Sequence, residues 1–152
     1  MAGFWIRFGG WLLDGILYGL LFLPFLIAGF VLFAVGLDDC RTINDEIICN
    51  GEEDVGPIVG GVGVCFLGFV MVAFVYLRAL AKSGQTWGRR IVGIKVVRTD
   101  NGQAPGWGKA IGRTLFSYIS SWIFYLGYFW MIWDDQKQTW HDKVADTYVV
   151  QA

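Results

Sequence analysis

Three long stretches of the chain contain no Asp, Glu, Lys, Arg or His: residues 15–37, 55–77 and 114–133. A soluble domain would interrupt such stretches with charges on its hydrated face, whereas an α-helix needs about 20 apolar residues to cross the hydrocarbon core of a bilayer. The pattern therefore excludes a soluble globular protein. It predicts membrane spans over about residues 13–37, 55–79 and 112–133.

The charges between these stretches indicate the orientation. Residues 38–54 carry one basic residue, Arg41, against seven acidic ones, whereas residues 78–113 carry eight basic residues against one acidic residue. Because basic loops remain on the cytoplasmic side of a membrane, we expect 38–54 to form an outer loop and 78–113 a cytoplasmic one. The N-terminus is then cytoplasmic, and the expected location is the cell membrane, the inner or plasma membrane of a bacterium.

The third stretch is unusually aromatic, with nine Phe, Tyr or Trp residues among the eighteen from 116 to 133. Aromatic side chains of this kind favour the membrane interface. A single span fits the length and places the C-terminal tail, residues 134–152, outside the cell. A hairpin broken near Ser120, Ser121 or Gly127 returns the tail to the cytoplasm.

Two segments rich in β-branched residues, 91–98 and 147–150, bear on that choice. They predict short strands, and Asp100-Asn101-Gly102 predicts a turn after the first. Two exposed strands gain by pairing with each other, which requires both on one side of the membrane. This slightly favours a cytoplasmic C-terminus.

The predicted fold is thus an all-α integral membrane protein, a single domain over residues 1–152. It consists of a two-helix transmembrane hairpin, a third aromatic-rich segment that forms a single span or a broken hairpin, and a short cytoplasmic β pair. Small residues let helices approach closely in lipid, so Gly15-x-x-x-Gly19 and Gly56-x-x-x-Gly60 are candidate packing faces.

Cys40 and Cys49 lie in the predicted outer loop, which faces an oxidising compartment. We expect a disulfide between them, the alternative being two free thiols. Cys65 lies within the second span, where a small packing role is expected.

Several kinds of chemistry find no support in the sequence. With 55% hydrophobic and 16% charged residues the chain is not intrinsically disordered. Gly84-x-x-x-Gly88 lacks the Lys-Ser/Thr ending of a phosphate-binding loop, and His141 is the single histidine, which disfavours a metal site. The basic residues of 78–113 adjoin membrane spans and match anionic lipid better than nucleic acid. We expect no cofactor, no metal, no nucleic-acid partner and no enzymatic activity.

Asp14 lies just inside an otherwise uncharged stretch, seven residues after Arg7. Seven residues are two helical turns, so both lie on one helix face about 10 Å apart along the axis. A carboxylate at that depth costs a few kcal/mol unless a partner or a proton neutralises it. Two interpretations stay open: a buried, partnered or protonatable carboxylate, or one that reaches the interface and merely ends the span.

Four segments resemble a known family: FWIRF leading to LLD (4–14), GQTWGRR (84–90), GIKVV (93–97) and HDKVADTYVV (141–150). The chain is similar over nearly its whole length to the RDD family of small membrane proteins, named for one arginine and two aspartates. The resemblance implies that Arg7 is the arginine and that Asp14 and, as the best match to the family's His-Asp ending, Asp142 are the aspartates. Because Asp14 needs a cation and Arg7 is the nearest on its helix face, we expect the three to interact as one charge cluster, which requires a cytoplasmic C-terminal segment. His141 and Arg113 are secondary candidates.

The chain departs from the family pattern at two places. Trp87 stands where members often have Pro, and Asp146 where they often have Gly. Both departures leave the three signature positions intact.

Two functions from different classes remain. The first is a non-catalytic accessory or assembly subunit of a larger membrane complex, with the bilayer and other membrane subunits as partners in a hetero- or homo-oligomer. The second, which the family resemblance also implies, is an oligomeric transporter component in which Asp14 binds a cation or proton and Arg7 tunes its pKa. The accessory role is favoured, because three hydrophobic segments hardly enclose a pathway.

Overall fold

The structure of the protein is a computed structural model. This structure describes residues 2–37, 40–43, 46–49, 55–122, 130, 134 and 138–152. For residues 37, 40–43, 46–49, 121 and 122 it describes the backbone alone. Two compact units emerge, Met1–Tyr18 with Phe74–Ala152 (unit 1) and Gly19–Ala73 (unit 2), and each is described separately.

Two long apolar helices dominate the described residues. Helix α1 runs over Phe4–Leu37 and helix α2 over Val55–Ser83, and both are long and apolar enough to cross a membrane. The two helices cover the first two stretches that were predicted to span the membrane. Each helix extends beyond its uncharged stretch, so that α1 includes both Arg7 and Asp14.

In unit 2 the two helices approach each other at glycines that the sequence analysis did not select. A Cβ atom at Gly29 would overlap the Cys65 sulfur and come within 2.8 Å of the Gly61 carbonyl oxygen. By contrast, Gly15, Gly19 and Gly60 have open space around them. Gly15, Gly19 and Gly60 therefore do not make the close helix contact that the Gly-x-x-x-Gly spacing predicted, and Gly29 and Gly61 make it instead. Cys65 does pack in this contact, as expected.

A short hairpin of two strands lies in the predicted outer loop. Strand β1, Cys40–Ile43, pairs antiparallel with strand β2, Glu46–Cys49, and the register sets Cys40 directly opposite Cys49. The hydrophobic pattern did not predict these strands. The side chains of both cysteines lie outside the described residues, so their disulfide stays a prediction.

Unit 1 is a small mixed structure built on the N-terminal part of α1 and the C-terminal part of α2. It adds helix α3 (Trp87–Ile91), strand β3 (Ile94–Arg98), helix α4 (Gly106–Trp122), helix α5 (Trp140–Val144) and strand β4 (Thr147–Gln151). The two strands pair antiparallel along their full length. These are the two segments whose composition predicted strands.

The β pair forms the centre of the core of unit 1. The backbone N–H of Ala2 donates to the Val149 carbonyl at 2.9 Å, which attaches the start of the chain to β4. Strand β3 is also hydrogen-bonded to the segment between α2 and α3, because the Val96 N–H donates to the Gly84 carbonyl oxygen at 2.8 Å. The fully packed apolar residues are Ala2, Leu80, Ala81, Ile94, Val96, Ala110 and Val149.

Helix α4 distributes its polar and apolar side chains in the opposite way to a helix on the surface of a soluble protein. Its buried positions include Arg113 and Ser120, while its exposed side carries apolar residues at helical spacing, namely Trp107, Ile111, Leu115, Tyr118 and Ile119. A helix that buries charge and exposes apolar side chains is suited to lipid or to another membrane helix. The third predicted span, about 112–133, overlaps α4, but residues 123–129 and 131–133 lie outside the described ones. The choice between a single span and a hairpin falls there.

The register of the outer hairpin generates a test of the predicted disulfide. Opposite residues of an antiparallel pair have Cα atoms about 4.5–5.5 Å apart, within the range of about 4.4–6.8 Å that a disulfide spans. We therefore expect that alkylation of the unreduced protein modifies Cys65 alone. The mass of the intact protein should then increase by one alkyl group. Reduction before alkylation should add two further groups. Three alkylated cysteines in unreduced protein prepared from an oxidising compartment would contradict the pairing.

Candidate functional site

The carboxylate of Asp14 joins α1 to the start of α3. It accepts a hydrogen bond from the Thr86 hydroxyl and one from the Gly88 N–H at 2.7 Å. The first N–H groups of a helix have no partner inside the helix, and a carboxylate placed there is favoured by the helix dipole. Thr86, the residue that precedes α3, makes no cap hydrogen bond with its own side chain. Asp14 therefore caps α3 from a distant point of the sequence.

Glycine at position 88 allows this approach. A Cβ atom there would overlap the backbone nitrogen of Asp14 and lie 2.6 Å from the Gly10 carbonyl oxygen. Such contacts lie far below normal van der Waals separation, so any side chain would force the two helices apart. Gly88, the second glycine of GQTWGRR, thus lets the α3 backbone come within hydrogen-bond distance of Asp14.

Arg89 and three aromatic rings complete the surroundings of Asp14. The Arg89 Nε lies 3.8 Å from an Asp14 carboxylate oxygen, and its Nη2 donates to the Tyr76 hydroxyl at 3.4 Å. Tyr18 stacks on Trp87 with ring centroids 5.0 Å apart and meets Tyr76 edge to face at 5.2 Å. Asp14 is consequently only 5% exposed.

The second carboxylate, Asp142 on α5, is completely buried and binds two arginines. Arg7 Nη1 lies 2.9 Å from its Oδ2, and Arg113 Nη2 lies 2.7 Å from its Oδ1. The Thr139 N–H also donates to Oδ2 at 3.3 Å, at the start of α5. One carboxylate thus links α1, α4 and α5.

The electrostatics of α5 follow from this arrangement. Burial alone would raise the pKa of Asp142, but the charges of Arg113 and Arg7 and the Thr139 hydrogen bond lower it below its usual value, so that it stays ionised. Burial lowers the pKa of His141 to about 3, more than the neighbouring carboxylate raises it. His141 is therefore neutral, and its distance of 3.9 Å to Asp142 is not that of an ion pair. Its Nε2 instead lies 2.9 Å from the Thr139 hydroxyl oxygen.

The structure brings Arg7, Asp142 and Arg113 together, with His141 beside them. Among the residues that the structure describes, no hydrogen bond or ion pair joins Arg7 to Asp14, so the direct pairing within α1 that their helical spacing suggested is not realised. Each has a better partner elsewhere, because Arg7 reaches Asp142 and Asp14 reaches α3. Sequence reasoning missed Thr86, Gly88 and Arg89 as partners of Asp14, although all three lie in the quoted GQTWGRR segment.

Metal chemistry gains no support from the geometry. In the part of the chain that the structure describes, no group of three or more His, Cys, Asp or Glu residues could hold a metal ion. The two buried carboxylates are instead engaged by hydroxyl, N–H and guanidinium groups. The arrangement binds segments to one another.

Comparison with known proteins agrees with the resemblance in the sequence. The sequence profile of the RDD family matches residues 1–146. The uncharacterized protein YxaI of Bacillus subtilis is 31% identical over 98% of this chain and 96% of its own length. A proline-rich antigen homolog of Mycobacterium tuberculosis is 33% identical over 44% of this chain, which is 28% of that protein. The proline-rich antigen of Mycobacterium leprae is 29% identical over 43% of this chain and 26% of its own length. No solved structure matches the chain significantly.

The observed pairing predicts which residues are energetically coupled. In a double-mutant cycle of Arg7→Gln and Asp142→Asn we expect a coupling energy of about 1–3 kcal/mol in detergent stability, because each change alone leaves a buried charge without its partner. The cycle of Arg7→Gln with Asp14→Asn is the control and should be additive to about 0.5 kcal/mol. Equal coupling in both cycles would show that the two carboxylates act as one network.

The buried neutral histidine predicts loss of stability in acid. An unfolded histidine takes up a proton below about pH 6.5, whereas His141 does so only near pH 3, so the unfolded state binds more protons between these values. Stability should fall as pH drops from 6.5, approaching about 1.4 kcal/mol per pH unit. His141→Gln, which keeps a polar group near Thr139, should flatten the profile between about pH 6 and 4.5. If the variant loses stability with falling pH as steeply as the wild type, groups other than His141 cause the pH dependence.

Proposed function

The chain belongs to the RDD family, and with two helices able to cross a bilayer it is a membrane protein, so we propose that it acts as a non-catalytic accessory or assembly subunit of a larger membrane complex. The observation that carries the proposal is the engagement of both signature carboxylates by partners within the chain. Asp14 is bound by Thr86 and Gly88, and Asp142 by Arg7 and Arg113.

A structural role accounts for this engagement better than ion transport. To bind a transported cation, either carboxylate would first have to release its partners in a buried environment. Leaving a buried charge unpaired costs several kcal/mol. Charges that cross-link segments instead give a rigid body, which is what an accessory subunit presents to other proteins.

The outward surface of unit 1 suits contact with neighbouring helices. The apolar side of α4 carries Ile111, Leu115 and Ile119 at spacings of four residues, and each is at least 40% exposed. Trp107 at its start stacks on Phe74 of α2 with centroids 5.8 Å apart, which continues the surface onto the adjoining end of that helix. Aromatic and aliphatic side chains of this kind dominate the centres of protein interfaces. The same apolar side chains also suit contact with lipid.

The orientation forms part of the proposal. Unit 1 combines the start of the chain, the basic segment 78–113 and the C-terminal strand β4, and the hydrogen bond of Ala2 to Val149 supports placing both ends on one side. The excess of basic residues makes that side the cytoplasm. The third hydrophobic segment would then enter the membrane and return.

Transport by an oligomer is the alternative that the experiment has to separate. In its favour, Asp14 is a buried carboxylate on a spanning helix with the Arg89 guanidinium 3.8 Å away, a combination found where ions or protons bind. The two long helices in the described part of the chain enclose no pathway by themselves, so this role requires several copies.

Purification from native membranes in a mild detergent discriminates between the two roles. We expect a complex with other membrane proteins in fixed stoichiometry. Leu115→Ala with Ile119→Ala should reduce the recovered partner several-fold, because the contact surface on α4 is lost. The matched control is Ile16→Ala with Leu20→Ala, which removes equally exposed side chains from α1 and should leave recovery unchanged. A homo-oligomer that moves cations in proteoliposomes, with Asp14→Asn abolishing the flux, would overturn the proposal.

A further inference from the structure

Two buried arginines share one buried carboxylate in the described part of unit 1. The side chains of Arg7 and Arg113 are 12% and 6% exposed, and both contact Asp142, whose side chain is 0% exposed. The neighbouring His141 adds no charge, because burial lowers its pKa to about 3. The two guanidinium groups and their one carboxylate therefore sum to one positive charge.

The arginines that share Asp142 also retain unused donors. Arg7 donates a hydrogen bond from Nε to the Ala2 carbonyl oxygen at 3.0 Å and another from Nη1 to Asp142. Its Nη2, and the Nη1 of Arg113, are buried and have no hydrogen-bond partner among the described residues. A buried donor without a partner costs about 1–3 kcal/mol, and more when it is charged.

The two arginines are neighbours. Both contact the same carboxylate, Arg7 at Oδ2 and Arg113 at Oδ1. Mutual repulsion would drive them apart if the local charge were not balanced. Arg89 lies close enough to both for its charge to add to theirs.

We propose that Arg7 and Arg113, with the charge of Arg89 beside them, form a buried site for a phosphate-bearing anion. The planar fork of a guanidinium group matches two oxygens of a phosphate, and charge-assisted bonds of this kind are strong. A bound anion supplies both the missing negative charge and acceptors for the two unused nitrogens. This inference goes beyond the accessory role and does not depend on it.

Two sources supply such an anion. A phospholipid headgroup is one, since Arg7 lies in the second turn of a helix that enters the membrane and Trp5, 80% exposed, lies two residues before it, in the position of an interfacial tryptophan. Free phosphate or a soluble phosphate ester in the cytoplasm is the other. Both present the same oxygen geometry to the arginines.

The test measures thermal unfolding of the whole purified protein in detergent. It compares added phosphatidylglycerol with a glycosyl diacylglycerol of the same acyl chains, and inorganic phosphate with potassium chloride at equal ionic strength. Saturable stabilisation by about 5 °C at saturating ligand is expected. If phosphatidylglycerol alone acts, the site takes a lipid phosphate; if inorganic phosphate also acts, it takes a soluble one. Equal shifts with the matched phosphate-free partners would overturn the site.

Variants locate the effect. Arg113→Lys keeps a positive charge for Asp142 but loses the fork, so we expect phosphate-dependent binding weakened about tenfold, with native mass spectrometry reporting retained phospholipid directly. Arg98→Lys is the matched control, since Arg98 is partly exposed and paired with Asp100 at 2.6 Å. Equal weakening in both variants would reduce the effect to general surface attraction and overturn the site. Should Arg113→Lys fail to fold, the wild-type comparison still decides.

Discussion

A single carboxylate shared by two arginines holds unit 1 together. Asp142 is completely buried, and Arg7 and Arg113 approach its two oxygens from α1 and α4. Neither arginine is stable at that depth without it, and the carboxylate is not stable without them, because an unpaired buried charge costs far more than an exposed one. The packing of three helices around the β pair therefore depends on one charge remaining in place.

Asp14 applies the same principle to a different pair of elements. Its cost inside an apolar stretch is offset by the N–H and hydroxyl groups at the start of α3, which would otherwise lack acceptors. Both signature aspartates thus join segments that are remote in sequence. The contacts give both charged residues a structural role within the chain.

Part of this arrangement was accessible from the sequence. Uncharged length predicts α1 and α2 because the bilayer fixes how long a span must be, and β-branched residues predict β3 and β4. Helical spacing failed for Arg7 and Asp14, since it compares residues on one helix and says nothing of partners from other segments. The two departures from the family pattern have a backbone explanation: Trp87 is the first residue of α3, where Pro is favoured, and Asp146 has a φ of 48°, where Gly is favoured and Asp is tolerated.

The distance along the chain between the bonded residues determines when this unit can form. Arg7 binds a residue 135 positions later, and Asp14 binds residues 72 and 74 positions later. During synthesis α1 is therefore made first, α3 reaches Asp14 midway, and Arg7 waits for Asp142 near the end of the chain. Until then a guanidinium group at the start of the first span is without its carboxylate. The last segments of unit 1 to be made thus complete the contacts of the first.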